Sequence, residues 1–258
     1  MKCKICNSDT ELKFSHIVLR KYNVKYYNCP DCSFMFTENP YWIEEAYNKP
    51  INLSDTGMLD RNLYFRKVIS SVIFLLFDKN KVFLDYAGGY GVFTRLMRDV
   101  GFDFYWEDKY TENILARGFE FNPEKNKTVE LLTAFEVFEH LVNPVEEIKK
   151  MLEISDNIIF STMLLPSPIP APDDWWYYSF NHGQHVAFYS KKTLKQFAEM
   201  NSLNFYTCGD IHLFTRRKIN PSLYYLVVKF AKYGLGFIIG LFMKGKVWED
   251  HLYLENKS

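Results

Sequence analysis

The sequence predicts an α/β protein: a mostly parallel sheet with helices on both faces, preceded by a small cysteine-rich ribbon. Three observations predict it. An apolar run, Val82-Phe83-Leu84, is closed by Asp85 and followed by Ala87, Gly88, Gly89 and Gly91 before a helix-like stretch from Val92 to Arg98. A strand feeding a helix through small residues is the unit of a parallel sheet, and such a turn lets the backbone approach a ligand closely. Further apolar runs alternate with stretches of helical period as far as residue 215. Finally, Cys3-x-x-Cys6 and Cys29-x-x-Cys32 stand 22 residues apart at the head of the chain.

At 258 residues there is room for one medium domain and a small appendage. Lys+Arg and Asp+Glu number 31 each, so the net charge is zero and no nucleic-acid partner is expected. Aromatic residues reach 18%, which fits either a low-GC genome or a sugar-binding surface. The first residues carry no signal-peptide apolar core, so a cytoplasmic location is expected. Reducing conditions there favour metal ligation over disulfides. Two C-x-x-C knuckles at this separation are the sequence form of a four-thiolate zinc site. Four sulfurs leave no open coordination position, so Cys3, Cys6, Cys29 and Cys32 are expected to hold a structural Zn2+. His16 reads as an ordinary polar residue. Ile17 to Asn28 reads as strand-rich, as a zinc ribbon requires.

Pro40 and Pro50 bracket a short helix-like stretch from Tyr41 to Tyr47. Leu63, Val68, Ile69, Val72, Ile73 and Leu76 recur at helical spacing, predicting a helix over 59–77 that packs on the sheet before its first strand. Tyr41, Trp42, Tyr47 and Tyr64 could line a substrate mouth, with packing the better expectation for most of them. Gly101 to Asp108 predicts a second strand ending in acids. Asp108 stands 23 residues after Asp85, a place from which a carboxylate accepts both ribose hydroxyls of a nucleotide-like cofactor. Glu107 is the competing candidate.

Residues 128–140 give a further strand and its turn, with Phe135, Glu136, Glu139 and His140 at the sheet edge where ligands bind in open α/β folds. The plainer alternative has Glu139 and His140 capping a helix that begins near Pro144. Asn157 to Thr162 reads as another strand. Pro166, Pro168, Pro170 and Pro172 stiffen the loop after it. There, Trp175 and Trp176 either stack on a sugar ring or base, or form a dry plug. His182 and His185 flank Gly183 and Gln184, and histidine is the commonest general base. A metal site is not expected at these histidines, since no nearby acid cluster completes one. Ser190 caps a helix whose Leu194 and Phe197 face inward. Asn204 to Thr207 and Ile211 to Thr215 supply two more strands. The tail from Leu223 to Met243 is apolar but interrupted by Lys229 and Lys232, short of an unbroken span of about 20 residues. No transmembrane span is expected. Globular packing or an oligomer contact is favoured, and peripheral membrane contact stays open.

Asp85-x-Ala87-x-Gly89-x-Gly91 resembles motif I of the class I S-adenosylmethionine (AdoMet) methyltransferases, D/E-x-G-x-G-x-G, with Ala87 replacing one glycine. The G-x-G-x-x-G of a dinucleotide site is absent. Glu136-Val-Phe-Glu139-His140-Leu resembles the E-V-L-E-H-L signature of the methyltransferase-23 branch, and Gly183-Gln184-His185 to Ser190 resembles its G-[EQ]-H-[IV]-x-[FY]-[FY]-[ST] segment. The motifs occur in family order over residues 82–190. The resemblance implies a Rossmann-like methyltransferase sheet closed by two antiparallel strands. It implies AdoMet as cofactor, held by Asp85, Tyr86, Ala87, Gly88, Gly89, Gly91, Asp108, Phe135 and Glu136; the family's strand-end acid favours Asp108. The chain then divides into a zinc ribbon and linker at 1–48, a methyltransferase domain at 49–220 and a helical tail at 221–258.

A ribbon ahead of such a domain resembles the sugar C-methyltransferases that act on nucleotide-linked deoxysugars, where a Y-x-E-H segment supplies the base. His185 matches that histidine. His182 and Gln184 stand in place of the tyrosine and glutamate, and the extra C-terminal domain of those enzymes has no counterpart. These departures favour O-methylation of a sugar, sugar nucleotide or related capsule or lipopolysaccharide precursor. His185 is the first choice as base, with His182 and His140 as alternatives. Three rivals stay open: C- or N-transfer to a nucleotide sugar, RNA or protein methylation, and a non-catalytic zinc-ribbon binding protein. Zero net charge disfavours RNA. No oligomeric state is implied.

Overall fold

The computed structural model describes residues 1–48, 55–126 and 128–257. Pro50 and the boundary at residue 49 lie outside them. The chain opens with three strands, β1 (Glu11–Val18), β2 (Tyr22–Asn28) and β3 (Met35–Thr37), followed by the single-turn helix α1 (Ile43–Ala46). Then come α2 (Met58–Leu76), β4 (Val82–Tyr86), α3 (Val92–Val100), β5 (Asp103–Glu107), β6 (Val129–Phe135), α4 (Pro144–Ile154) and β7 (Asn157–Ser161). The last part holds β8 (Ala187–Phe188), α5 (Lys191–Met200), β9 (Asn204–Cys208), β10 (Ile211–Thr215), α6 (Pro221–Phe230), α7 (Gly236–Leu241) and α8 (Val247–Glu255).

Six strands make the main sheet in the order β5-β4-β6-β7-β10-β9. The first four are parallel, and β10 runs antiparallel to both of its neighbours. Side chains alternate along a strand, so a sheet covered on both faces needs apolar residues at consecutive positions. Leu84, Leu132, Ile158 and Phe160 enter one core, beneath α4, α5 and the ribbon. Phe83, Leu131 and Ile159 enter the other, beneath α2, α3 and α6. The Rossmann-like α/β architecture expected from the sequence is thus the one observed.

The ribbon is built into this body. β3 pairs with β8, Met35 opposite Phe188 and Phe36 opposite Ala187, extending the hairpin into a four-stranded sheet β1-β2-β3-β8. The Thr193 hydroxyl, in the first turn of α5, donates to the Cys32 carbonyl at 2.8 Å. Cys3, Cys29, Cys32 and Phe34 join Leu132 and Phe160 in one continuous core.

Two features depart from the simplest reading of the sequence. Among the described residues no helix bridges β5 to β6; residues 118–121 instead lie against β5, with one parallel bridge between Trp106 and Glu120. The outer side of α3 is covered from the far end of the chain by α8. Arg98, 3% exposed, donates to both Asp250 oxygens at 2.8 and 2.7 Å and stacks 3.7 Å from the Phe119 ring centroid. A fully buried arginine needs such a bidentate partner. Second, the apolar tail is helical from Pro221 to Leu241, 21 residues, but is not one rod. Tyr233 and Gly234 leave helical geometry, Gly234 at φ 111°, and split it into α6 and α7, which fold back over α2.

Candidate active site

β4 delivers the glycine turn to the C-terminal edge of the sheet. Asp85, 2% exposed, lies beneath that turn and accepts hydrogen bonds from the Thr94 and Thr133 hydroxyls, each at 3.0 Å. It ties β4 to α3 and β6. Burial pushes its carboxyl up to about 7, with the Asp108 charge adding to the shift and the two threonines opposing it. A Cβ on Gly88 would sit 2.6 Å from that carboxylate and 2.8 Å from the Trp106 ring, so only glycine fits. Ala87 occupies the glycine position of the motif at φ 55°, in the left-handed region, where a β-carbon is strained. Tyr86, Ala87 and Gly89 face the groove above, and Gly91 caps α3 at φ 80°.

β5 supplies two acids with different employment. Asp108 accepts the backbone N–H of Gly89 at 2.9 Å on one oxygen, and those of Tyr110 and Thr111 at 2.7 and 2.8 Å on the other. A carboxylate has about four acceptor positions, so one remains. Among the described residues no hydrogen bond reaches the Glu107 side chain, which lines the groove. Burial, then the neighbouring Asp108, raises the Glu107 carboxyl.

β6 ends in the E-V-F-E-H turn. Phe135 stacks on Phe65 at 4.1 Å and packs edge-on to Phe93. Glu136 is left-handed at φ 53°, a strained conformation of the kind that concentrates at functional sites. Ser161 holds it there, accepting its N–H at 2.9 Å and donating to its carboxylate at 2.6 Å. Burial, then Glu139, pushes Glu136 up to about 7. Glu139 is fully buried and both its oxygens lack a well-formed partner among the described residues; burial pushes it, too, to about 7. Glu139 and His140 belong to a short 3-10 turn, separate from α4 and not its cap.

His140 forms part of the groove wall, with the Tyr47 hydroxyl 3.0 Å from its Nδ1 and the Gln184 main chain close by. His185 stands behind it, ring centroids 5.0 Å apart and edge to face. Its Nδ1 lies 2.7 Å from the Tyr177 carbonyl. A carbonyl only accepts, so Nδ1 carries the proton and Nε2 is left as the basic nitrogen. Burial holds both imidazoles below their ordinary range, and each is neutral at pH 7. His182 is close enough for its charge to depress His185 further. Of the three histidines only His140 lines the groove; His182 and His185 line neither lobe, and His185 stands one ring behind His140. Gln184 is structural, donating to the Ala46 carbonyl at 2.9 Å, while Trp42 donates to Gly183 at 2.8 Å; these bonds fasten the histidine loop to α1.

The expectation that no acid accompanies these histidines fails. Donor atoms of Glu139, His140 and His185 lie within 4.8 Å of one another. Glu139 precedes His140 in the turn, and its reach towards His185 depends on a fold contact that spacing does not reveal. With His140 already engaged at Tyr47 and Gln184, the trio reads as a proton-handling group.

The groove crosses the glycine turn in two lobes that share Ala87, Gly89 and Glu136. The larger, about 510 Å³, runs past Tyr47, Tyr86, Glu107, Tyr110 and His140; the smaller, about 120 Å³, lies under the start of α2 beside Arg61 and Phe135. The larger wall carries Glu44, Glu107, Asp108, Glu136 and Glu147 against Lys109, a lining suited to a positively charged ligand. Arg61 escaped the sequence reading. It bonds Asp55 at 2.7 Å and precedes the core residue Phe65 by four. A charge on the inward stripe of a helix is the signal that marks it.

Of the two tryptophans, Trp175 is the plug, packed on Tyr177, Tyr178 and Phe188, and Trp176 is exposed. Of the four aromatic residues ahead of the sheet, Trp42 is buried, Tyr64 half-buried, Tyr41 exposed, and Tyr47 lines the groove.

The four ribbon cysteines have sulfurs within 4.8 Å of one another, with Cys3–Cys32 and Cys6–Cys29 each at 3.5 Å. A disulfide would bring a pair to about 2.05 Å. Four sulfurs about 2.3 Å from one zinc stand about 3.8 Å apart, close to the observed edges. The donor set fits the ion. His16 is remote from this cluster, stacked on Phe180 at 3.9 Å.

A mostly parallel sheet, an acid–glycine turn, strand-end acids and an acid-lined groove thus meet at one edge of the fold. A family model described as a methyltransferase domain, the methyltransferase-23 type, matches residues 60–206. The chain belongs to that family. No curated protein matches it. Similar solved structures include an O-methyltransferase family protein from Burkholderia thailandensis, at 14% identity and TM-score 0.47, covering 61% of this chain and 56% of that one. An O-methyltransferase family 2 protein from Planctomyces limnophilus, in complex with apigenin, has 15% identity and TM-score 0.42, covering 68% and 65%. The plantazolicin methyltransferase BpumL, in complex with SAH, has 12% identity and TM-score 0.46, covering 75% and 81%. The chain thus spans 56% and 65% of the length of the first two.

Proposed function

We propose that the protein transfers the AdoMet methyl group to an oxygen of a sugar, sugar nucleotide or related capsule or lipopolysaccharide precursor, with His185 as general base. The observation that carries this reading is the fixed tautomer of His185: Nδ1 donates to the Tyr177 carbonyl and Nε2 is left to take a hydroxyl proton. Glu107 and the remaining acceptor position of Asp108 would accept the ribose hydroxyls of AdoMet, and Arg61 in the small lobe would pair with its methionine carboxylate. The acid-rich wall favours the cationic sulfonium over the neutral product. The methyl donor arrives activated, so the protein supplies alignment and a proton acceptor.

As the acceptor oxygen attacks the sulfonium methyl carbon, its proton passes to His185 Nε2 and the carbon–sulfur bond electrons stay on sulfur. Buried Glu139, within 4.8 Å, then steadies the imidazolium. Tyr47 and Tyr110, stacked at 5.2 Å on the groove wall, offer an aromatic surface for a sugar ring. A structural Zn2+ on the four cysteines fixes the ribbon, and through β3 and β8 the loop bearing His185. The cytoplasm is the proposed location, since thiolates there stay reduced. The test is release of S-adenosylhomocysteine from AdoMet across a panel of sugars, sugar nucleotides and lipid-linked sugars. Turnover with a hydroxyl acceptor, lost in His185→Gln, supports the reading; turnover only with amine or RNA acceptors contradicts it.

A further inference from the structure

Thirteen of the 25 exposed large apolar side chains among the described residues fall between Leu223 and Tyr253, so the apolar surface is concentrated on α6, α7 and α8. Phe237 is 73% exposed, and Tyr233, Leu241, Phe242 and Trp248 are comparably open. Scattered apolar residues mean little, but a contiguous exposed face marks an interaction site.

Charge indicates what the face meets. From Ile211 to Trp248 the chain has seven basic residues and no acidic one, in a protein of zero net charge. Lys229, Lys232 and Lys244 are exposed and form no ion pair among the described residues. Lys229 and Lys232 lie over the Tyr225 and Tyr233 rings at 5.3 and 5.0 Å, setting ammonium groups at the rim of the apolar face. Apolar side chains framed by basic and aromatic ones are the pattern of a helix lying in a membrane interface.

We infer that α6 and α7, with no acidic residue between them, dock the protein onto an anionic lipid bilayer, parallel to its surface; α8, which carries Glu249, Asp250 and Glu255, lies outside the docking face. A crossing is not built here. α6 has 10 residues and is about 15 Å long, against a hydrocarbon core of about 30 Å. Gly234 at φ 111° kinks the chain, a conformation that side-chain-bearing residues rarely adopt; a Cβ there would meet nothing within 4 Å, so the glycine serves the backbone. Tyr224, Val227, Val228, Ala231 and Ile239 are buried in the body, which anchors one side of the kinked segment and leaves the other exposed. Pairing with a second copy would bring two basic rims together, because a two-fold contact matches a surface with itself.

The experiment is sedimentation of the full chain with vesicles of phosphatidylcholine alone and of phosphatidylcholine mixed with phosphatidylglycerol, beside light scattering without vesicles. The expected result is binding to the mixed vesicles that weakens with salt. Lys229→Gln/Lys232→Gln should lower the affinity about thirtyfold, a factor of about five per basic residue near an anionic surface. Phe237→Ser/Leu241→Ser should abolish binding with the melting temperature held. If the serine pair disturbs folding, the glutamine pair, on exposed unpaired lysines, carries the test. Failure of the parent to bind anionic vesicles overturns the inference, as does a glutamine pair that binds like the parent. Dimers in the absence of lipid that Phe237→Ser/Leu241→Ser dissolves would assign the face to a second copy and overturn it as well.

Discussion

Replacing Glu107 by glutamine and, separately, Asp108 by asparagine separates an acid free to serve the cofactor alone from one that also braces the glycine turn. Asp108 is committed to three backbone N–H groups, whereas no described residue donates to the Glu107 side chain. Glu107→Gln breaks no bond within the protein and relieves repulsion with Asp108, so the Tm should hold. Losing a hydrogen bond to a charged acceptor costs about 1.5–3 kcal/mol, so the Kd for AdoMet should rise about 10- to 150-fold. Asp108→Asn keeps one acceptor oxygen and turns an amide N–H group towards backbone donors. One lost bond, at about 1–3 kcal/mol and about 2–4 °C per kcal/mol, lowers the Tm by roughly 2–12 °C. Calorimetric titration and thermal unfolding of the two variants read both quantities. An Asp108→Asn protein with unchanged Tm and no AdoMet binding, beside a Glu107→Gln protein that binds normally, would refute the reasoning.

His185→Gln should lower kcat about 10²–10⁴-fold, the usual yield of a general base, and leave AdoMet affinity intact; equal losses in both would make the residue structural. Stability should fall as pH rises from about 4 to about 7 wherever Asp85, Glu136 and Glu139 dominate, because the folded state keeps protons that unfolded carboxylates release near 4. His140 and His185, held low, act oppositely: the stability they contribute is present above about 6.5 and is lost as pH falls through their folded values. Asp85→Asn should flatten the fall between about pH 4 and about pH 7 in urea titrations, and an unchanged slope contradicts the assignment. Chelation or Cys29→Ser should lower the Tm and weaken AdoMet binding together, since β3 and β8 join the ribbon to the histidine loop. Metal analysis finding no zinc in a fully stable protein would count against a structural ion.

The sheet was legible because its strands are buried on both faces and read as short apolar runs between helical periods, as Val82 to Leu84 and Asn157 to Ser161 do. The union of ribbon and sheet was not. β8 has two residues, too few to carry a period, and its partner β3 lies about 150 residues earlier. The tail was expected to be helical, but the docking of α8 on α3 was not legible, because it rests on one ion pair, Asp250 with Arg98, that no local pattern announces. At the site, the glycine turn and the E-V-F-E-H and His-Gly-Gln-His segments could be located from residue types. The work done by each acid could not. An aspartate at a strand end is equally fit to brace a turn or to meet a ribose, and only the backbone around Asp108 shows the first. Arg61 was hidden by distance, since its groove is assembled from α2, β4 and β6.

The central claim is transfer of a methyl group from AdoMet to an acceptor oxygen. It is tested most directly by incubating the protein with methyl-¹³C AdoMet and the acceptor panel, then reading the labelled carbon by NMR. The account predicts a new O-methyl carbon on a sugar, absent with His185→Gln. A label on carbon or nitrogen, or no label at all from protein that binds AdoMet saturably, would contradict it.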